Sequence, residues 1–311
     1  MEIELQNKLP IHIHKKIIAH GLDSKFILLK DTKNVQEITK LSAEDIDLLV
    51  NIVSEICVAN KIKNASEIPE WTKISTGCSA INDLLHGGIS INGINEIYGE
   101  SGVGKTQFCL QLALMVQLPG AYGGLGKSSV YICTEDPFPS KRLNGLGKAL
   151  FQSSASKDII NIDFKSNIFV EHIADFEQLR ICLCVKLQKL IHSTHIGLIV
   201  IDSIAGIFRS YNDDRNYQNR SENFETIARR LYELCSIHSI GIVCTNQVSD
   251  NLETGETNPC LGLAWSNWVT SRFCITRSFS RSIRTFQIVF APNLPTNSCN
   301  FLIKENGIVC V

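Results

Sequence analysis

Gly99-Glu100-Ser101-Gly102-Val103-Gly104-Lys105-Thr106 matches the pattern G-x-x-x-x-G-K-[S/T] at every position, and its surroundings give the match physical meaning. Before it, Ile94 to Gly99 (I-N-E-I-Y-G) alternates apolar and polar residues in the manner of a strand at the edge of a sheet. After it, T-Q-F-C-L-Q-L-A-L-M-V-Q from Thr106 onward is long and apolar enough for a buried helix. With strand, glycine loop and helix in that order, Gly102 and Gly104 let successive backbone N–H groups turn inward. Those amides, together with the positive end of the helix, then hold a polyphosphate. Lys105 is placed to reach the β- and γ-phosphates, and the Thr106 hydroxyl to ligate Mg²⁺.

Around this loop lie 311 residues, a length that suggests two domains or one α/β core with an appendage. Hydrophobic residues make up 44% and charged residues 20%, a globular balance, and no apolar run is long enough to span a bilayer. The first residues, M-E-I-E-L-Q-N-K, are polar and mixed in charge, with no secretory pattern, so a soluble, intracellular protein is expected. The 12 cysteines fall singly in apolar stretches, among them Cys109, Cys133, Cys235, Cys244 and Cys274. They read as small buried hydrophobes in a reducing compartment. The closest pair, Cys182 and Cys184, is C-x-C without a histidine placed to complete a zinc site, so a structural metal is not expected. A net charge of −1 means that any nucleic-acid contact must come from local basic patches.

Residues 1–70 read as a small helical unit with a linker, and residues 71–311 as the core that carries the phosphate loop. The clearest N-terminal helix is Ser42 to Ile56, with Ser42 as N-cap, Asp45 at the third helical position, and Ile46, Leu49, Val53 and Ile56 on one face. Lys61 to Trp71 is polar, contains a proline and marks a boundary near Pro69. From Ile74 strands and helices alternate, which predicts an α/β fold with a mostly parallel twisted sheet flanked by helices. Expected strands are Asn95 to Gly99, Ser129 to Thr134, Ile168 to His172, Ile196 to Asp202, Gly241 to Thr245, Arg272 to Thr276 and Thr285 to Phe290. Expected helices are Lys105 to Gln117, Ser140 to Gln152, Phe176 to His192 and Glu222 to His238, and Cys299 to Val311 forms a closing hairpin turning at Asn306-Gly307.

Three further strand ends carry chemistry. Leu198 to Asp202 (L-I-V-I-D) is an apolar strand that delivers a carboxylate to its mouth, for a Mg²⁺ shell or for capping the next turn. Y-I-C-T-E-D ends in Glu135 and Asp136, either of which can orient a hydrolytic water, and spacing does not choose between them. Asn246-Gln247 closes the strand after Asp202, where a neutral amide either senses a γ-phosphate or faces solvent.

In order, G-E-S-G-V-G-K-T-Q, Y-I-C-T-E-D, L-I-V-I-D-S and T-N-Q-V resemble the core of the RecA-like recombinases, strand-exchange ATPases, and so does I-S-T-G-C-S-A-I-N-D-L-L-H-G-G-I (Ile74 to Ile89) ahead of them. The strings C-T-E-D-P-F-P-S-K-R-L, L-G-L-A-W-S-N and A-P-N-L-P-T-N-S-C are more similar to the eukaryotic recombinase paralogs than to the recombinase itself. This resemblance, from about Ile74 to the C-terminus, implies a RecA-like P-loop ATPase core using ATP and Mg²⁺ in homologous recombination and double-strand break repair in the nucleus. It implies that residues 99–106 bind phosphate, Thr106 and Asp202 the metal, Glu135 the water and Gln247 the γ-phosphate, while Arg142 stacks on adenine. It also implies an ATP site between subunits, with Pro295 in a cap over the neighbour's nucleotide.

The resemblance further implies two DNA-facing loops, about Arg209 to Arg220 and Ser249 to Gly262. The first interleaves arginines with Tyr211 and Tyr217, which suits phosphate contact and base stacking or a solvated turn; the second has no lysine or arginine. Arg277 to Arg284 (R-S-F-S-R-S-I-R) is a further basic patch, expected as a hairpin. The subunit-joining phenylalanine of the recombinase is missing near Val58-Ala59-Asn60-Lys61, and Gly21 to Val50 lacks a hairpin glycine motif. The expected partners are therefore another paralog and the recombinase itself, in a hetero-oligomer and not a homo-filament, with single-stranded or branched DNA.

Overall fold

The computed structural model describes residues 8–57, 64–152, 157–209, 217–250, 257–278 and 282–311. The chain divides into two compact units, Met1–Glu70 and Trp71–Val311. In the first, helices α1 (Ile11–Ala19), α2 (Ser24–Leu29), α3 (Thr32–Thr39) and α4 (Ala43–Cys57) enclose Ile13, Ile17, Ile27, Val35, Ile46, Leu49 and Val53. Three of these helices start on side-chain caps, each filling an N–H that has no partner within its helix. Asp23 accepts from Phe26 N at 2.6 Å, Asp31 from Lys33 N at 3.2 Å, and Ser42 Oγ from Asp45 N at 3.1 Å. Ile56 is only half-buried, so the buried face of α4 ends one turn earlier than its pattern suggests.

Among the described residues, the second unit is built on a nine-stranded sheet with two separate two-stranded pairs. In chain order the strands are β1 (Lys73–Ile74), β2 (Ile89–Ser90), β3 (Ile94–Tyr98), β4 (Ser128–Cys133), β5 (Ile168–His172), β6 (Ile196–Asp202) and β7 (Gly241–Asn246), followed by β8 (Val248–Asp250), β9 (Thr257–Pro259), β10 (Ser271–Arg277), β11 (Ile283–Phe290), β12 (Ser298–Lys304) and β13 (Gly307–Cys310). The main sheet runs β13-β12-β11-β10-β3-β7-β6-β4-β5. From β10 to β5 every neighbouring pair is parallel, while β11, β12 and β13 extend the sheet antiparallel. The short pairs β1–β2 and β8–β9 stand apart as two-stranded sheets, neither of which the sequence pattern foresaw.

The helices of this unit are α5 (Ser79–Leu84), α6 (Lys105–Met115), α7 (Ser140–Gly147), α8 (Lys157–Ile160), α9 (Phe176–Ile181), α10 (Leu187–Ser193), α11 (Ile204–Arg209), α12 (Tyr217–His238) and α13 (Gly262–Ser266). Strand residues alternate between two cores, as a sheet covered on both faces requires. Tyr131, Leu198, Val200 and Val243 join the core that holds α6; Val130, Ile199, Ile201 and Ile242 join the one that holds Phe176, Leu179, Phe224 and Leu231. Helix α6 is buried almost all round, from Phe108 to Met115, which explains its uniformly apolar sequence. The rings of Phe108, Phe286 and Phe273 stack at 5.4 and 5.2 Å and fasten β11 and β10 to α6.

Two helices depart from their simple periodicity. The stretch Ser140 to Gln152 passes from α7 into a π-helical turn at Lys148–Gln152, and Phe176 to Ser193 carries another at Cys182–Lys186. Strand β3, read as a sheet edge, lies second in the parallel set, hydrogen-bonded to β10 on one side and β7 on the other, and Asn95 and Glu96 are fully buried in it.

Candidate nucleotide site

Adjacent parallel strands β3, β7, β6 and β4 end at the same side of the sheet, where ligands of open α/β folds bind. Their register sets what meets there: Tyr98, before the phosphate loop, lies beside Asn246, and Cys133, before Thr134-Glu135, lies beside Asp202. The result is a cavity of about 420 Å³ lined by Ser101, Gly102, Gly104, Lys105, Thr106 and Gln107 on one side, with Tyr131, Glu135, Asp136, Asp202, Thr245 and Gln247 among the facing residues.

The loop has the form a phosphate cradle needs. Gly102 and Gly104 adopt φ of 78° and 112°, and a Cβ added at Gly102 would meet nothing within 4 Å, so the backbone there faces open space. Lys105 Nζ donates to the carbonyls of Gly99 at 2.7 Å and Glu100 at 2.8 Å, which folds the ammonium over the loop. Burial lowers the Lys105 pKa from its ordinary value, and the Asp202 carboxylate acts in the opposite direction.

Asp202 is held from three directions. Its Oδ2 accepts from Thr106 Oγ1 at 2.8 Å and Tyr131 OH at 2.7 Å, and its Oδ1 from Thr245 Oγ1 at 2.6 Å. Burial, reinforced by Asp202, drives the Tyr131 pKa well above the usual phenol value, so Tyr131 remains a donor. A hydroxyl and a carboxylate converging at the start of α6 form the hard-oxygen donor set that suits Mg²⁺.

Opposite them, Glu135 Oε2 accepts from Gln247 Nε2 at 2.7 Å and from Ser203 Oγ at 3.0 Å. Thr134 and Ser203 exchange hydrogen bonds at 2.7 and 2.9 Å, which fixes the end of β4 against the end of β6. Glu135 and Asp136 both line the cavity, but it is Glu135 that is tied to Gln247. Gln247 is anchored in turn: its N–H donates to Asn246 Oδ1 at 2.8 Å and its carbonyl accepts from Cys260 N at 2.8 Å.

Arg142 does not line the cavity. It donates to the side chain of Gln107, which does, and to the carbonyls of Lys304 and Glu305, both at 2.7 Å, joining α7, α6 and the closing hairpin. Pro295 is exposed just beyond the Ala291–Leu294 bridge. In the first basic stretch, residues 210–216 lie outside the described residues, as do residues 251–256 of the second loop, residues 279–281 of Arg277 to Arg284, and Val58 to Lys61. Within what is described, Arg277 and Arg284 are paired across β10 and β11, and Arg284 Nε donates to Val103 O of the phosphate loop at 2.8 Å.

Sequence reasoning missed a buried cluster next to the site. Glu96 Oε1 accepts from Asn246 Nδ2 at 2.8 Å and Trp265 Nε1 at 2.9 Å, and its Oε2 pairs with Arg272. The same Asn246 amide donates to Cys260 O at 2.8 Å. A carboxylate inside an apolar strand was the available signal, because such a group is retained only with partners. Tyr131, Thr245 and Ser203 were missed as well; they act on Asp202 and Glu135 across strands and leave no local motif.

The chain matches the family model described as Rad51 over residues 68–311. It is 33% identical to the DNA repair protein XRCC3 of Bos taurus, over 96% of each chain. It is 36% identical to the XRCC3 homolog of Arabidopsis thaliana, over 78% of this chain and 94% of that one. With the DNA repair protein rhp57 of Schizosaccharomyces pombe it shares 30% identity, over 85% and 84% of the two chains. On the phosphate loop, the strand order and a match spanning the whole core, the chain belongs to the Rad51 family.

Proposed function

We propose that this Rad51-family paralog acts in homologous-recombination repair of DNA as an ATP-binding subunit whose bound nucleotide sets its contacts with DNA and with neighbouring chains. The observation that carries the reading is the convergence of Thr106 and Asp202, 2.8 Å apart, in one cavity with the Glu135–Gln247 pair. The loop amides of residues 99–106 and the Lys105 ammonium bind the polyphosphate, and Thr106 and Asp202 hold the metal shell. Mg²⁺, bound with the nucleotide, neutralises charge on the phosphate oxygens. Glu135 orients a water for attack and accepts its proton, and Gln247 reads the terminal phosphate and passes its presence to the segment that follows. Arg142 is assigned to stacking on the adenine, beside the cavity that its partner Gln107 lines. DNA, single-stranded or branched, meets the arginines of residues 209–220 and of the β10–β11 hairpin. On this reading the chain works in the nucleus, in a complex with another paralog and the recombinase.

One observation favours a second reading, in which ATP is mainly structural and is turned over slowly. Glu135 Oε2 is already engaged by two donors, Gln247 and Ser203, and a base so occupied is a weak one. Steady-state ATPase measurements on the purified complex, with and without single-stranded DNA, decide between the two. DNA-stimulated turnover supports the gated ATPase, and its absence leaves the structural role. The site itself is tested by Lys105→Ala. Loss of a charge-assisted phosphate contact should weaken ATP binding by roughly tenfold or more, and unchanged affinity would remove the assignment.

A further inference from the structure

Two thiols far apart in sequence meet at the surface of the core. Cys78, just before α5, and Cys310, at the end of β13, have their sulfurs 3.3 Å apart. Cys78 is 1% exposed, whereas Cys310 is open to solvent. The exposure of Cys310 departs from the reading of the cysteines as buried hydrophobes.

The backbone around the pair holds it in place. Cys310 stands opposite Phe301 in the β12–β13 ladder, and Phe301 is fully buried. Gln111, buried on α6, accepts from Ile308 N at 2.7 Å and donates to Thr76 O at 2.7 Å, so β13 and the segment carrying Cys78 are tied to the same helix. The sulfurs therefore sit on packed elements and do not depend on the chance approach of two surface side chains.

Their environments differ in a way that divides the labour. Cys310 Sγ is met by the Ser79 hydroxyl at 3.0 Å, the Ala80 N–H at 3.3 Å and the Cys78 thiol. These contacts, Ser79 first, lower its pKa to about 7, while burial raises that of Cys78 to about 11. At neutral pH the exposed sulfur is substantially thiolate, and the buried one beside it keeps its proton.

We propose that Cys310 and Cys78 form a redox-active pair, in which Cys310 is the site where a hydroperoxide oxidises this chain and Cys78 resolves the product into a disulfide. In the first step the Cys310 thiolate attacks the peroxide, the O–O bond breaks, and the sulfur becomes a sulfenic acid as the departing alkoxide or hydroxide takes a proton. In the second, the Cys78 sulfur attacks the sulfenic sulfur, the S–O bond breaks, and the Cys78 proton leaves with the hydroxyl as water. A small thiol reverses the bridge by exchange. The bridge links β13 to the segment that leads into α5 and so closes the edge of the sheet whose hairpin carbonyls hold Arg142.

The test uses the full chain, reduced, then exposed to limiting hydrogen peroxide and mapped as non-reduced peptides. A Cys78–Cys310 cross-linked peptide should appear before Cys184, the other exposed cysteine among those described, is modified, and dithiothreitol should remove it. In Cys78→Ala a dimedone adduct should accumulate at Cys310; in Cys310→Ser, Cys78 should stay unoxidised because peroxide does not reach it. Iodoacetamide should alkylate wild-type Cys310 about tenfold faster than Cys184 at neutral pH, its rate falling as pH drops below about 7. Ser79→Ala should move that midpoint upward. A disulfide that maps elsewhere, equal reactivity of Cys184 and Cys310, or a wild-type Cys310 that is trapped by dimedone without ever bridging to Cys78 overturns the proposal.

Discussion

Glu135 divides Oε2 between Gln247 and Ser203, and an amide oxygen in the same place can accept from both donors. Glu135→Gln should therefore leave ATP affinity within a few-fold of wild type and slow hydrolysis by about a hundredfold, because only the proton acceptor is lost. Filter binding and phosphate release measured on the same preparation separate the two, and collapse of ATP binding would make Glu135 a structural residue. Tyr131 offers a second test, since its hydroxyl fixes the carboxylate assigned to the metal shell. Tyr131→Phe should raise the Mg²⁺ concentration needed for half-maximal nucleotide binding by roughly tenfold, with little change in the order of nucleotide preference. An unaltered Mg²⁺ titration would show that Thr106 and Thr245 suffice. These residues also mark where sequence reading stops. Lys105 and Thr106 are legible because the loop's backbone fixes their spacing. Which of Glu135 and Asp136 meets Gln247 is not, because it depends on which carboxylate the turn aims at a glutamine 112 positions from Glu135. Tyr131 and Thr245 lie 71 and 43 positions from Asp202 and meet it through strand pairing alone.

Most core strands and helices follow from hydrophobic period, since a strand covered on both faces or a helix buried all round has few alternatives. Strand β3 is the instructive exception. Its I-N-E-I-Y pattern has the period of a half-exposed strand, yet Asn95 and Glu96 are both 0% exposed and bonded inside the sheet. Polar alternation signals an exposed face only when no partner waits on the other side, and the partners here, Asn246, Trp265 and Arg272, come from elements far along the chain. The closing hairpin was legible from Asn306-Gly307, but its function as a brace was not. Gly307 has φ of 115°, and a Cβ there would lie 2.4 Å from Gln111 Oε1, the acceptor that ties β13 to α6. Gly307→Ala should thus cost about 2 kcal/mol of core stability, through backbone strain and a displaced buried amide. In denaturant titrations this appears as a lower midpoint at unchanged slope, whereas an unshifted midpoint would mean that Gln111 finds another rotamer.

The alternation of strands and helices after Ile74 specifies the α/β class, while the partner of such a molecule is written only faintly in its composition, since a net charge of −1 gives no long-range field to recruit one. What the single chain does present is a cavity with an open rim. Ser101, Gly102, Glu135, Asp136 and Pro137 border the cavity and are all solvent-exposed. A neighbouring chain seated over this rim would exclude water from Glu135 and Gln247 and lock their geometry, so nucleotide and partner should strengthen each other's binding by the same factor. The expected outcome is that a recombinase paralog binds this chain several-fold more tightly with ATP than without. In hydrogen-exchange mass spectrometry, peptides covering residues 99–106 and 133–139 should be protected further by partner plus ATP than by ATP alone. Turnover per site should rise in the mixed complex, and Lys105→Ala should abolish the nucleotide dependence while leaving a weaker, ATP-independent association. Partner binding that ignores nucleotide, with protection confined to other peptides, would place the contact elsewhere and make the cavity a site that this chain completes by itself.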